Sequence, residues 1–244
     1  MSLGDLGIGS INGGPIGTKN VIINGNFGIN QRGVSGTVTL AAGAYGHDRW
    51  KAGASGCTYT FATTNNVTTL TISAGSLIQV IEGLNLYSGT YTLSWTGTAQ
   101  GKIGAGSYAG SGVTGAAVGG TNLNIEFNTG TVSLVQFEQG SVATPFERRP
   151  YGTELALCQR YFETLPPSSV MFPWASATQV VVSNVSFKVT KRAAPSMTLT
   201  GVAGSTGTAA LVDVNATSQG SLLIFGGNAG NYLTYTGGSA AIEL

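Results

Sequence analysis

Thr90-Tyr91-Thr92-Leu93-Ser94-Trp95-Thr96 alternates large apolar and small polar side chains without a break. Successive strand residues point to opposite faces, so this spacing puts Tyr91, Leu93 and Trp95 on one face and the small polar residues on the other. The segment predicts a half-buried β-strand, and its neighbours read the same way. Upstream, Thr37–Leu40 alternates, Cys57–Thr63 and Val67–Ser73 flank the turn Asn65-Asn66, and Ser76–Ile81 follows. Val21-Ile22-Ile23 is a short apolar run ended by Asn24-Gly25, a strong turn signal. Downstream, Asn122–Phe127 and Thr131–Phe137 predict a hairpin over Asn128-Thr129-Gly130. Strands at this spacing with no crossover helices predict an all-β fold, an antiparallel β-sandwich.

Composition supports that frame. The chain has 244 residues, of which 42% are hydrophobic, enough for one large β domain or two ordinary ones. Charged residues make up only 9%, against about 25% in an average soluble domain. Polarity comes instead from Thr, Ser, Asn and Gly, which suit strands, tight turns and neutral sugar partners. Glycine is abundant at 38 residues and proline scarce at 7, the pattern of many short strands joined by tight turns. So thinly charged a surface favours burial of part of it between subunits. The Gly-rich stretch 101–120 (GKIGAGSYAGSGVTGAAVGG) reads either as a flexible linker or as glycine-rich strands and turns inside the sandwich. The second reading is preferred because strand signals flank it on both sides.

Several chemistries have little to work with. The single histidine, His47, is too few for a His-based metal site or triad. Cys57 and Cys158 read as buried thiols, with a disulfide between them left open. No run of about 18 apolar residues occurs, so no membrane insertion is expected. The first residues lack a basic region followed by an apolar stretch, so no signal peptide is expected. The glycine clusters lack the strand–turn–helix context of a phosphate-cradling loop. Few acids surround Asn24 and Asn26, which weighs against calcium. No metal and no other cofactor are expected.

Residues 1–19 read as an extended leader and 20–150 as the sandwich. Thr153–Thr164 (TELALCQRYFET) predicts one helix, with Leu155, Cys158, Phe162 and Leu165 along one face, Thr153 as its cap and Pro166-Pro167 as its stop. A linking helix over 151–166 then marks the boundary to a smaller β-rich distal domain, 167–244. Its expected strands are Gln179–Val185, Ser186–Thr190, Ser196–Thr200, Ala209–Val214, Ser221–Phe225 and Tyr232–Tyr235.

Three ordered motifs carry a resemblance. The first is Val21-Ile22-Ile23-Asn24-Gly25-Asn26-Phe27 with Ile29-Asn30-Gln31-Arg32-Gly33, Tyr45 and Asp48-Arg49-Trp50. The second joins Val135-Gln136-Phe137-Glu138-Gln139-Gly140, Ala143-Thr144-Pro145-Phe146-Glu147-Arg148-Arg149-Pro150 and Leu155–Phe162. The third runs from Phe187-Lys188-Val189 through Arg192-Ala193-Ala194-Pro195. Over roughly residues 20–200 the chain resembles bacteriophage and prophage tail-fibre, receptor-binding proteins. The resemblance implies a carbohydrate-binding-module-like jelly roll, a small distal domain, and a homotrimeric fibre tip that touches the host envelope. It does not extend to 201–244.

Each motif has a functional and a scaffold reading. Trp50 is a candidate sugar platform with Asp48 and Arg49 gripping hydroxyls, because aromatic faces suit sugar C–H faces. The favoured reading makes Trp50 a core residue with an Asp–Arg pair fixing the strand. Arg32 is a secondary ligand candidate that also suits pairing with Asp48. Pro145–Pro150 holds too few cations for nucleic acid and reads as an extended connector whose arginines make inter-element or inter-subunit bonds. Glycoside hydrolysis needs two carboxyls on one cleft, and spacing singles out no pair among Asp48, Glu82, Glu126, Glu138, Glu147, Glu154, Glu163 and Asp213. No catalytic residue is assigned. The primary ligand candidates are distal: Trp174, Asn228, Asn231, Tyr232 and Tyr235, with Ser239 adding a hydroxyl. The expected function is a non-enzymatic tail-fibre tip module on the virion. It would act outside the cell on bacterial surface polysaccharide or lipopolysaccharide, beside other phage tail proteins. The alternatives are a polysaccharide depolymerase and a purely structural fibre segment.

Overall fold

A computed structural model describes residues 19–171, 181–201, 203–204, 210–226 and 232–244. The first part is built from Val38–Leu40 (β1), Lys51–Thr64 (β2), Val67–Ile81 (β3), Gly89–Thr96 (β4), Gly101–Ile103 (β5), Val113–Ala117 (β6), Leu123–Phe127 (β7) and Gly130–Gln139 (β8). All pairings are antiparallel, along the path β1-β2-β3-β8-β4-β6, with β7 bridging β3 and β5. The all-β expectation holds, and this path does not by itself establish a jelly roll.

The deciding strand is β4. Tyr91, Leu93 and Trp95 are all buried as the alternation requires. Tyr91 stacks on Phe137 at 4.9 Å, and Trp95 meets Phe127 edge-on at 5.0 Å. Thr92 on the opposite face is buried too, and its Oγ1 donates to the Gly140 carbonyl. The Gly-rich 101–120 stretch supplies β5 and β6, as preferred.

Two strand expectations change. Val67–Ser73 and Ser76–Ile81 form one 15-residue strand, β3. Gly75, at φ +70°, carries it through the bend beside Gly56; a Cβ there would lie 2.0 Å from the Gly56 carbonyl oxygen. Nor do β7 and β8 form a hairpin. The far half of β3, Leu77–Ile81, pairs with β7, while its near half, Leu70–Ile72, pairs with β8. A long strand offers a separate partner site to each, so Asn128–Gly130 hands the chain from one half of β3 to the other.

The helix is Tyr151–Gln159 (α1), shorter than expected. Pro150 stands at its N-cap with no side-chain cap bond, so Thr153 lies inside the first turn rather than before it. Phe162–Leu165 is a strand, β9. The helical spacing of Leu155 and Cys158 is real, and both join a cluster with Ile23, Ile29 and Tyr161. Phe162 and Leu165 fit a period of two or three over so short a span. The available edge of Gly237–Ala241 decides for strand. Pro166-Pro167 therefore ends β9, not the helix.

The rest comprises Ser168–Met171 (β10), Val181–Ser186 (β11), Ser196–Thr200 (β12), Ala203–Gly204 (β13), Ala210–Ala216 (β14), Gly220–Gly226 (β15), Tyr232–Tyr235 (β16) and Gly237–Ala241 (β17). Together with β9 they form three three-stranded antiparallel sheets, β10-β16-β13, β11-β15-β14 and β12-β17-β9. Ser186–Thr190 is not a separate strand: β11 ends at Ser186, and Phe187 drops into a small core with Leu165 and Ala240.

Candidate functional site

Asn24 organises the first motif. It sits at φ 58°, a conformation asparagine tolerates better than most residues. Its side-chain nitrogen donates to the carbonyls of Ile29 (2.8 Å) and Asp48 (3.0 Å), and its side-chain oxygen accepts from the Ile29 N–H at 2.9 Å. Its own carbonyl accepts the Trp50 indole N–H at 3.0 Å. With both ends of its amide engaged, Asn24 is not placed to ligate calcium. Among the described residues no cluster of three or more His, Cys, Asp or Glu side chains stands ready for a metal.

The candidates Asp48, Arg49 and Trp50 are buried, at 0%, 1% and 0% exposure. This corrects their assignment as ligand contacts, because no sugar ring reaches them. Trp50 packs against Phe27 at 4.9 Å and Phe127 at 6.1 Å. Asp48 accepts the Gln31 backbone N–H at 2.6 Å and its side-chain amide at 2.8 Å. Burial raises the Asp48 pKa, while the Gln31 bonds and Arg32 pull it back. Arg32 lies 3.8 Å from Asp48 and 2.9 Å from Glu243, with its guanidinium over the Phe162 ring at 3.7 Å. Arg49 reaches Glu243 at 2.6 Å and the Val80 carbonyl at 2.7 Å, and stacks 3.6 Å above Tyr161. The motif thus fastens the sandwich to β9 and to the segment after β17. No local pattern marks Glu243, which pairs with Arg49 across 194 positions.

His47, next to this motif, is 1% exposed, with its ring 4.5 Å from Phe61 and Nδ1 3.0 Å from the Tyr59 hydroxyl. Burial pulls its pKa down from 6.5 to about 4. Between those values the unfolded chain holds a proton that the folded chain releases, so stability is full above 6.5 and falls as pH drops towards 4. The expected loss is on the order of 3 kcal/mol at 1.36 kcal/mol per pKa unit. The raised Asp48 pKa acts in the opposite sense, adding stability as pH falls. Urea unfolding of wild type and His47→Phe at both pH values isolates the histidine. The variant is expected to lose the acid-sensitive component, and an unchanged pH slope would remove His47 as its source.

Of the distal candidates, Trp174, Asn228 and Asn231 lie outside the described residues. Tyr232 falls in β16 opposite Met171. Tyr235, paired with Ser168, is buried at 5% exposure, which corrects its assignment as a receptor contact. Ser239 lies in β17 between Thr198 and Thr164. Both cysteines are free and buried, and burial raises their pKa values, Cys57 to about 11.

A cleft of about 580 Å³ corresponds to none of the motifs singled out above. Three separated stretches line it: the turn at Asn24–Gly28, the tip and inner side of the β2–β3 hairpin, and the connector Phe146–Pro150 with the start of α1. Within the connector, Arg149 donates to the Ile22 carbonyl at 2.9 Å and to the Asn20 carbonyl, and it pairs with Glu154 at 3.1 Å. Glu147 accepts the Asn20 N–H at 2.9 Å. The expected role of the connector arginines in joining elements is what these bonds display. A usable signal was the charge cluster Glu147-Arg148-Arg149 in an otherwise sparsely charged chain.

Comparison with protein-family models, with characterised proteins and with solved structures finds no match to this chain.

Proposed function

We propose that the chain is a non-enzymatic adhesion module of a phage tail-fibre tip, working as a homotrimer on bacterial surface polysaccharide or lipopolysaccharide. One observation carries the non-enzymatic part. The chain has ten acidic residues. Of these, Asp5 lies outside the described residues and Asp213 has no described side chain. Each of the others is bonded inside the fold. Asp48 is held by Gln31, Glu82 by Arg160 and Tyr161, and Glu126 by Lys102 and Tyr108. Glu138 is held by Gln136 and Thr144, Glu147 by Asn20, and Glu154 by Arg149. Glu163 is held by Lys191, and Glu243 by Arg32 and Arg49. Glycoside cleavage needs two carboxyls facing one substrate. Glu147 and Glu154 share the cleft, and both are already engaged, Glu147 by the Asn20 N–H and Glu154 by Arg149, which weighs against cleavage. The low charge and the Asn-, Thr- and Gly-rich surface favour a neutral saccharide partner, and three copies would add avidity to weak individual sites.

The test is retention of the purified protein on immobilised bacterial polysaccharides and lipopolysaccharides, with its mass in solution measured on the same sample. Saturable retention of a trimer, competed by soluble polysaccharide, is the expected result. Release of reducing ends would make the chain a depolymerase instead. A monomer retained by no surface would leave it a structural fibre segment.

A further inference from the structure

Among the described residues, Leu84, Tyr87, Val118 and Val142 are large apolar side chains left in solvent, at 84%, 69%, 63% and 75% exposure. The fold gathers them at one end of the sandwich. β4 starts between β6 and β8, with Gly89 opposite Ala117 and Tyr91 opposite Gln139. The loop entering β4 therefore lies between the chain leaving β6 and the chain leaving β8. Hydrogen bonds fix this arrangement. The Gly120 N–H donates to the Gly83 carbonyl at 3.0 Å, the Gly119 N–H to Ser88 Oγ at 3.0 Å, and the Gly83 N–H to Asn122 Oδ1 at 2.8 Å. Gly140, just before Val142, donates to the Thr90 carbonyl at 2.9 Å. Leu86, between Leu84 and Tyr87, is anchored in the core, so the outward direction of its neighbours is set by the fold.

Four such side chains expose on the order of 500 Å² of apolar surface, at the upper end of what a monomer shows in one patch. The patch carries no charge. Residues 83–101 and 103–125 contain no Asp, Glu, Lys or Arg, and the flanking acids Glu82 and Glu138 are buried and bonded inside the fold. Leu84, Val118 and Val142 offer a saccharide neither a ring face nor a hydrogen bond. The lack of Lys and Arg in these stretches disfavours an anionic membrane surface. β6 adds a feature that suits a protein partner. It ends at Ala117 beside the patch, pairs only with β4 in unbroken register, and has no Lys, Pro or bulge to guard its free edge. With that edge and the intervening small residues, the area approaches the roughly 800 Å² per partner of a stable contact. Symmetry selects the partner. Residues close to a rotation axis meet their own copies, and an uncharged patch does so without like-charge repulsion.

We infer that this patch, with the free edge of β6 beside it, is where the sandwich meets further copies of the chain, burying Leu84, Tyr87 and Val118 near the axis. The inference rests on the homotrimeric reading and names the surface that makes the contact.

The test is analytical sedimentation of the full chain over a range of concentrations. Wild type is compared with Leu84→Asp, Val118→Lys and, as control, Tyr151→Asp. Tyr151 is 68% exposed at the start of α1, on the margin of the cleft rather than in the patch. Substitutions at such exposed positions leave the folding of one chain almost unchanged, and circular dichroism checks this. In the contact each new charge at Leu84 or Val118 is buried without a partner. The dissociation constant is expected to rise at least about a hundredfold, read as the mass of a single chain where wild type sediments as a trimer. Tyr151→Asp is expected to sediment as wild type does. A trimer in all four proteins would overturn the inference and leave the homotrimeric reading intact. Equal dissociation of all three variants would also overturn it, because the patch would then be no more sensitive than another exposed position. A wild type that is monomeric at every concentration would overturn the inference and the homotrimeric reading together. Retention on polysaccharide then decides the adhesion reading separately.

Discussion

Arg49→Ala is expected to lower unfolding free energy by about 3–5 kcal/mol, the usual consequence of removing one member of a buried ion pair. The side chain is 1% exposed and serves three partners at once: Glu243 at 2.6 Å, the Val80 carbonyl at 2.7 Å and the Tyr161 ring at 3.6 Å. Truncation strips the buried Val80 carbonyl of this donor, opens a cavity under Tyr161, and leaves Glu243 with Arg32 alone. For a chain of this length the loss corresponds to roughly 6–20 °C in melting temperature. Arg49→Lys tests the geometry: it keeps the charge but loses the planar fork that bridges carboxylate, carbonyl and ring together. It is expected to recover less than half of the loss. Urea unfolding measures both variants, and limited proteolysis shows whether the segment after β17 comes loose first. A cost below about 1 kcal/mol in Arg49→Ala would mean that β9, β12 and β17 hold to the sandwich without this lock.

The lock also explains what was legible beforehand. Local alternation found β4 and the other strands around the Tyr91–Phe137 and Trp95–Phe127 contacts, because period-two burial is written within seven residues. Pairing was not local. Whether β7 and β8 face each other depends on the length of β3, and whether Phe162–Leu165 continues a helix depends on an edge supplied more than 70 positions later. Asp48-Arg49-Trp50 was legible as a scaffold motif only through the resemblance that it and its neighbouring motifs carry. Its partner Glu243 was not, being an isolated acid near the chain's end. The cleft was hidden for the same reason. Asn26, Asn66, Arg148 and Tyr151 come from three stretches that read separately as two turns and a connector.

A second buried pair sets the other large effect. Lys191 and Glu163 have side chains 0% and 2% exposed, with Nζ 2.7 Å from the carboxylate. Lys191 also donates to the Gln159 carbonyl and lies 4.9 Å over Phe187, while Glu163 accepts the Lys188 backbone N–H at 3.2 Å. Burial lowers the Lys191 pKa, and Glu163 only partly restores it. An unfolded lysine keeps its proton where the folded one has released it, so stability gains from this group as pH rises from the folded value towards 10.5. Burial of the ammonium is therefore a net cost at neutral pH, only partly offset by Glu163. Lys191→Met alone is expected to cost about 3–5 kcal/mol, because it leaves the carboxylate buried without its cation. Lys191→Met with Glu163→Leu removes both charges and is expected to return to within about 1–2 kcal/mol of wild type, or above it. The residual cost comes from the Lys188 N–H and the Gln159 carbonyl, which lose their partners. Chemical unfolding of wild type, both single variants and the double gives the coupling energy. Additive losses would show that the two charges act independently, each held by its backbone contacts. A large positive coupling would show that the pair fixes how the loop after β11 meets β9, at a cost that an apolar pair avoids.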